Sequence, residues 1–375
     1  MAEMDMGLAP QGKKNGKKKK KRKKQSVWNS IVTGLFPCKG DSTNEILRKI
    51  VFLAALIVLI VAVVLIAAHY LQYSRLNSQM AVGENGELLA TQSYIVDLKN
   101  KTPTQEQIQQ LPQGTINEEY ASLYNENNDF IGWLNVPGTN IDYPVMQTDN
   151  NDDYLHTNFN KEYEFSGTLF ADYRGKIGPG EMPHNTVIYG HNMLYKFQFS
   201  ALMNFKRDIN FLKLSPVIDF NTLYDNNKYK IFSVFVTNIS TEHGEVFDYT
   251  GTNYFNNRSE FYDFVLECGD RSYYDMGVDV EYGDEFLTLS TCDQDYGGLD
   301  LRLVVVARKV RPNESPEVDV DRITEKDSQK FFETFYEIYG QTWYGRTWDT
   351  SLVKGLDEYI AENGLEDEPE PESEG

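Results

Sequence analysis

The chain has 375 residues, enough for one large domain or two modest ones, and its three cysteines exclude a scaffold held together by disulfides. The net charge of −20 hides an asymmetry: residues 1–49 carry 13 Lys and Arg against 4 Asp and Glu, whereas the remainder carries 23 against 52. The two parts therefore belong to different electrostatic settings.

In chain order, the first feature is Lys13–Lys24, KKNGKKKKKRKK, with ten basic residues in twelve. It reads as a solvated tail that touches anionic lipid headgroups. Nucleic-acid binding is set aside because no folded basic module accompanies the run. Ile50–Ala68, IVFLAALIVLIVAVVLIAA, is nineteen apolar residues without a break, long enough to cross the hydrocarbon core as a helix. The run is too long and begins too late for a cleaved signal peptide, and no small-residue cleavage site follows it directly. With Arg48 and Lys49 at its edge, the positive-inside rule predicts a basic cytoplasmic tail over 1–49 and one transmembrane helix over 50–69. Everything after Tyr70 then lies outside the cytoplasm, held at the cell membrane.

Residues 70–114 are polar and rich in Gln and Asn and read as an extracytoplasmic stalk, helical in part. A short helix is expected over TINEEYASLYNENNDF from Thr115. Strand-like runs follow between turn residues: IGWLNV, DYPVMQ, GTLFAD and NTVIYG, then VIDFNTLY, YKIFSVFVTN, FLTLSTC and RLVVVARK. A helical stretch around FSALMNF separates the first four from the rest, and NYFNNRSEFYDFVLECG has helical spacing at Phe255, Phe261, Phe264, Val265 and Cys268. Eight short strands with few helices predict a mainly β fold, a closed or nearly closed barrel over 115–310.

From Arg311 the composition changes. Phe331, Phe335, Ile338 and Tyr339, then Leu352, Leu356, Tyr359 and Ile360, predict two amphipathic helices within a C-terminal extension over 311–375. Their apolar faces either pack on the barrel or form a lid or partner-docking surface. The end, EDEPEPESEG, is acidic and has the composition of a disordered tail.

The stretch FLTLSTCDQDYGGLDLRLVVVARK places Cys292 where one apolar run ends and Arg302 just inside the next. Cys292 is either a packed residue at a strand end or a nucleophile. Cys268 ends a helical pattern and reads as core, and Cys38 lies on the cytoplasmic side of the span. A thiol becomes a strong nucleophile as thiolate, which requires a nearby cation or base. Beyond His69 at the membrane edge, the histidines are His156, His184, His191 and His243. His191 follows NTVIYG as Cys292 follows its own run, with Gly190 expected to allow a sharp turn. Were the two strands neighbours, Cys292 would attack a peptide carbonyl. His191 would move the protons, and Arg302, returning antiparallel, would present its donors to the thiol and a developing oxyanion. Each residue alone has a plainer explanation: packing for the Cys, a surface turn for the His, protection of a sheet edge for the Arg. Scattered histidines without ligand spacing predict no metal and no cofactor.

TLSTC at Thr288–Cys292, Arg302 ten residues on, and VIYGHNM at Val187–Met193 together resemble the motifs of the sortases, cysteine transpeptidases of Gram-positive bacteria. DYPVMQTDNNDDYLHTNF and SGTLFADYR resemble the first half of a sortase catalytic domain, and the likeness runs from about Asn117 to Val310. The lead-in helix, the helical insertion and Asp293 after the cysteine resemble class B. The resemblance implies an eight-stranded barrel with His191, Cys292 and Arg302 at one rim and no cofactor. It implies cleavage of an LPxTG or NPxTG sorting signal on surface proteins, and transfer to an amine of a peptidoglycan precursor or a pilin. By motif position Ser290 and Thr291, and Asp293 with them, would line the substrate groove. Gln294 stands where some class B enzymes have an Asp suggested as a third catalytic member, so no orienting carboxylate is assigned. The loop DQDYGGLD is expected to be mobile. Two other functions compete: a thiol endopeptidase that releases its product to water, and a non-catalytic adhesin or scaffold.

Overall fold

The computed structural model describes residues 35–79, 90–180, 182–193, 197–297 and 299–363. The basic run Lys13–Lys24 and the acidic end Glu366–Gly375 lie outside the described residues. The chain forms two compact units, one up to Ala81 and one from Val82 onward.

In the first unit, helix α1 (Thr43–Gln79) encloses the whole apolar run. Among the described residues most of its aliphatic side chains stay uncovered, with Leu65 64% and Ile66 68% exposed. Residues Thr43–Ala68 are long and apolar enough to cross a bilayer. Just before the apolar run, Lys49 pairs with Asp41 at 2.7 Å.

The second unit is built on eight strands: β1 (Phe130–Asn135), β2 (Asp142–Met146), β3 (Leu169–Ala171), β4 (Asn185–Tyr189), β5 (Val217–Thr222), β6 (Asn226–Asn238), β7 (Phe286–Asp293) and β8 (Leu301–Lys309). They close into a barrel in the order β1-β2-β3-β4-β7-β8-β6-β5 and back to β1. Pairing is antiparallel except between β2 and β3 and between β4 and β7, which are parallel. A closed sheet leaves no edge, so its backbone groups pair within the barrel.

Several strands read as continuous apolar runs because both faces are covered. Val304, Val305 and Val306 of β8 are all fully buried. The interior takes one set of side chains. Outside, helix α7 (Arg258–Arg271) packs Phe261 and Phe264 against Phe286 of β7, with ring centroids 5.8 and 5.3 Å apart. The Asn257 side chain caps α7 by accepting from the Glu260 N–H. Cys268 is fully buried, burial pushes its thiol pKa up, and it carries no disulfide.

On the far side, helix α2 (Ala90–Asn100) docks by Ile95, which joins Tyr120, Leu123, Phe130 and Trp133 in a second, smaller core. Lys99 lies 3.9 Å from the centroid of the Trp133 ring. Part of the polar segment read as a stalk is thus packed on the barrel. Helix α3 (Gln105–Gln109) opens with a capping box between Thr104 and Gln107, and α4 (Ala121–Glu126) leads into β1. Two short helices, α5 (Met203–Arg207) and α6 (Ile209–Leu214), join the β4 side to β5.

The C-terminal extension contributes α8 (Glu333–Tyr339) and α9 (Leu356–Asn363). Phe332, Phe335, Trp348, Leu356 and Tyr359 are buried in the main core, whereas Ile338 and Tyr339 stay exposed. The extension wraps α7: the Asp270 carboxylate accepts from Arg346 at 2.8 and 2.9 Å and from the Trp348 indole at 2.8 Å.

Candidate active site

Strand register builds the site. Tyr189, the last residue of β4, pairs with Ser290 of β7; two residues further the chain leaving β4 reaches His191 and β7 reaches Cys292. Parallel neighbours running the same distance past their last pair deliver both side chains to one rim, because side chains repeat with a period of two. Across the antiparallel β7–β8 pair, Cys292 stands directly opposite Arg302, which sets their Cβ atoms about 5 Å apart on the same face. His191, Cys292 and Arg302 line one cleft of about 270 Å³ with Ser290 and Thr291.

Gly190 matters for a reason other than a tight turn. A Cβ there would lie 2.4 Å from Leu169 Cδ2 and 2.8 Å from Phe199 Cδ2, so glycine allows β4 to run close under its neighbours. Beyond it, the His191 N–H donates to Gln198 Oε1 at 2.8 Å. Asn192 Nδ2 donates to the Cys292 carbonyl at 2.9 Å, tying the histidine segment to the cysteine strand.

Five further residues line the cleft that the sequence did not single out: Asn151, Leu155, Thr168, Phe170 and Tyr189. Tyr189 had a signal, two residues before His191 on the same face. Asn151 and Leu155 come from the irregular β2–β3 connection, where no periodicity points to them. Behind them Asp172 accepts from Tyr189 at 2.8 Å and Asn151 at 3.1 Å, and pairs with Arg174. Asp293, expected beside the groove, is not among the lining residues. Its carboxylate is fully buried against Lys206, because the neighbour of an outward-facing strand residue points the other way.

The sequence pattern of the sortase domain matches residues 134–310. Sortase B of Staphylococcus aureus (strain NCTC 8325 / PS 47) is 30% identical over 226 residues, 59% of this chain and 88% of the relative. Sortase B of Listeria monocytogenes serovar 1/2a is 33% identical over 197 residues, 52% of this chain and 76% of the relative. The chain belongs to the sortase B family. It is a cysteine transpeptidase. Among solved structures, the Staphylococcus aureus sortase B–substrate complex is 28% identical and covers 55% of this chain and 93% of its own, with a TM-score of 0.46. Clostridium perfringens sortase B is 34% identical, covers 50% and 98%, and has a TM-score of 0.45.

In this sortase the electrostatics of the rim are set by burial and by charged neighbours. Burial is the largest influence on His191 and lowers its pKa below the usual imidazole value. Its hydrogen bond to Leu155 opposes that, while His156 and Arg302 lower it further. His191 Nε2 lies 2.9 Å from the Leu155 carbonyl, which can only accept. Nε2 therefore carries a proton, and Nδ1 is the nitrogen that takes up or gives one. The His156 ring stacks on His191 with centroids 5.7 Å apart. For Arg302, burial works against the charge, and Cys292 and Asp300 outweigh it, so its pKa is raised. Its Nη1 donates to Asp300 at 2.8 Å and to the Leu301 carbonyl at 3.0 Å. Ser290 exchanges a hydrogen bond with the Tyr249 hydroxyl at 2.8 Å, and Thr291 Oγ1 is buried without a hydrogen-bond partner among the described residues. Among the described residues no group of three His, Cys, Asp or Glu side chains can hold a metal ion.

Proposed function

We propose that this sortase cleaves a C-terminal sorting signal of LPxTG or NPxTG type and joins the severed protein to an amine of the cell wall or of a pilin. Cys292 Sγ, its thiol proton taken by His191 Nδ1, attacks the threonyl carbonyl carbon. The tetrahedral adduct collapses with cleavage of the C–N bond, and His191 Nδ1 gives a proton to the departing amine. The thioester is then attacked by the acceptor amine, whose proton passes to His191, and the thiolate leaves. Arg302 holds the developing oxyanion or the peptide chain with its fork of donors. Ser290 and Thr291 contribute to the groove wall, and Asn151, Leu155 and Tyr189 complete it.

The observation that supports this reading is the direct opposition of Cys292 and Arg302 across β7–β8, with His191 delivered to the same rim by the parallel neighbour. The basic run before α1 and the apolar helix itself favour an anchored chain with its N-terminus in the cytoplasm and the barrel outside. That location brings the barrel to exported, still-anchored substrates.

The test is incubation of the purified protein with LPxTG-type and NPxTG-type peptides, with and without an amine acceptor. The expected result is peptide cleavage that Cys292→Ala abolishes and an amide product that needs the acceptor. Cleavage that no acceptor alters would make the protein an endopeptidase, and cleavage surviving Cys292→Ala would remove the nucleophile.

A further inference from the structure

The C-terminal extension reaches the loop that leaves the nucleophile. Tyr296 lies four residues after Cys292, between β7 and β8. Its ring meets Phe332, Phe335 and Tyr339 with centroids 6.0, 5.9 and 6.4 Å away, and its hydroxyl lies 3.0 Å from that of Tyr273. On another side, the Lys206 ammonium stands 5.0 Å from the Tyr296 ring centroid, within cation–π range. Lys206 pairs with both Asp293 and Asp295, and its own side chain is only 7% exposed. The Asp295 N–H donates to Asp293 at 2.9 Å, and Arg207 pairs with Asp295 at 2.6 Å.

The same segment touches the other loop at this rim. Asn238 ends β6 beside Leu301, which itself pairs with Asp293. In the connection that follows, His243 Nδ1 lies 3.4 Å from Thr334 Oγ1, and a Cβ on Gly244 would meet Glu333 at 2.6 Å. Helix α8 is therefore wedged between the two connections that flank the Cys292–Arg302 pair. Its own footing is firm: Lys330 pairs with Glu267 of α7 at 2.7 Å, and Lys326 donates to the carbonyls of Gly269 and Asp270 at 2.6 and 3.0 Å.

We propose that the C-terminal segment Phe331–Tyr339 is a positioning element of the transpeptidase, acting through Tyr296 and Lys206 to fix the strand end that bears Cys292 and the loop that leads to Arg302. This rests on the catalytic assignment above. The loop carries both members of the pair at its two ends, so freedom at Tyr296 becomes misalignment of thiol and guanidinium. Misplacement of reacting groups by about 1 Å costs up to roughly a hundredfold in rate. An effect of this kind falls on kcat, because the peptide still binds but the transition state loses its alignment.

The test uses the full chain, with Tyr296→Ala, Phe335→Ala, the exposed-side variant Tyr339→Ala and the conservative Tyr296→Phe. Folding is checked by circular dichroism, turnover is measured on the cleaved peptide, and hydrogen exchange is followed at residues 293–297. Tyr296→Ala and Phe335→Ala are expected to lower kcat about tenfold with KM little changed, to speed exchange in the loop, and to be no worse combined than alone. Tyr339→Ala is expected to shift both in the same direction by less, and Tyr296→Phe to retain wild-type turnover. Wild-type kcat in the folded Tyr296→Ala and Tyr339→Ala proteins overturns the proposal, as does lost turnover without faster loop exchange. A wild-type protein that cleaves no sorting peptide defeats the catalytic assignment instead, and the exchange data still decide whether α8 holds the loop.

Discussion

His191 carries two consequences at the scale of single residues. Its folded-state pKa lies below the usual value, so folding favours the neutral ring. That contribution is complete above about pH 6.5, the unfolded value, and is lost as pH falls from there through the folded pKa. Acidification through this window is expected to lower the denaturation midpoint of the wild type more than that of His191→Gln. His156→Ala removes both a covering ring and a positive neighbour, so the His191 resonance is expected to titrate at higher pH in NMR. Arg302→Lys keeps the charge and loses the planar fork. A fall in kcat/KM of about a hundredfold is expected if its donors meet the oxyanion, and unchanged peptide kinetics would remove Arg302 from the site. Cys292, His191 and Arg302 were legible in the sequence because each stands at the end of an apolar run, where strand geometry carries side chains to a rim. The turning of Asp293 away from the groove was not legible, because its partner Lys206 lies 87 residues away and only the tertiary fold brings them together.

At the scale of elements, the strands were readable because β-branched and aromatic runs alternate with Gly, Asn and Asp turns, and all eight expected runs became barrel strands. What the sequence hid was how the extension is attached. Phe331 and Phe332 precede α8 rather than belonging to it, and half the expected apolar face is exposed. A polar anchor adds to the apolar side chains that are buried. Asp270 on α7 is almost fully buried and receives the partly exposed Arg346 and the buried Trp348, so its loss costs toward the lower end of the roughly 3–5 kcal/mol of a fully buried pair. Asp270→Ala is expected to destabilise the protein by about 3 kcal/mol in urea denaturation. Gly269→Ala would place a Cβ 2.3 Å from the Trp348 ring. It is expected to expose that indole, read as a red shift in fluorescence and an earlier loss of the extension to limited proteolysis. The loop after Cys292 was expected to be mobile from its glycines. The first half of the loop is held, Asp293, Asp295 and Tyr296 by ion pairs and ring contacts, which composition does not reveal.

At the scale of the whole molecule, an apolar helix and a folded barrel unit occupy one chain. If the basic end is cytoplasmic, protease added to intact cells is expected to digest the barrel, and survival of the barrel until lysis would reverse the orientation. The pairing of β4 with β7 has a consequence for the life of the chain before it is folded. A hundred residues separate Asn192 from the Cys292 carbonyl it bonds, so this contact is among the slower ones to form. A slip of one residue between β4 and β7 would turn Cys292 to the opposite face and part it from His191. An unfinished or misregistered barrel therefore holds a cysteine without its histidine beside it. On the proposed roles of Cys292 and His191, the thiol is armed only by completion of the fold, and an unfinished chain does not cleave the peptides it meets.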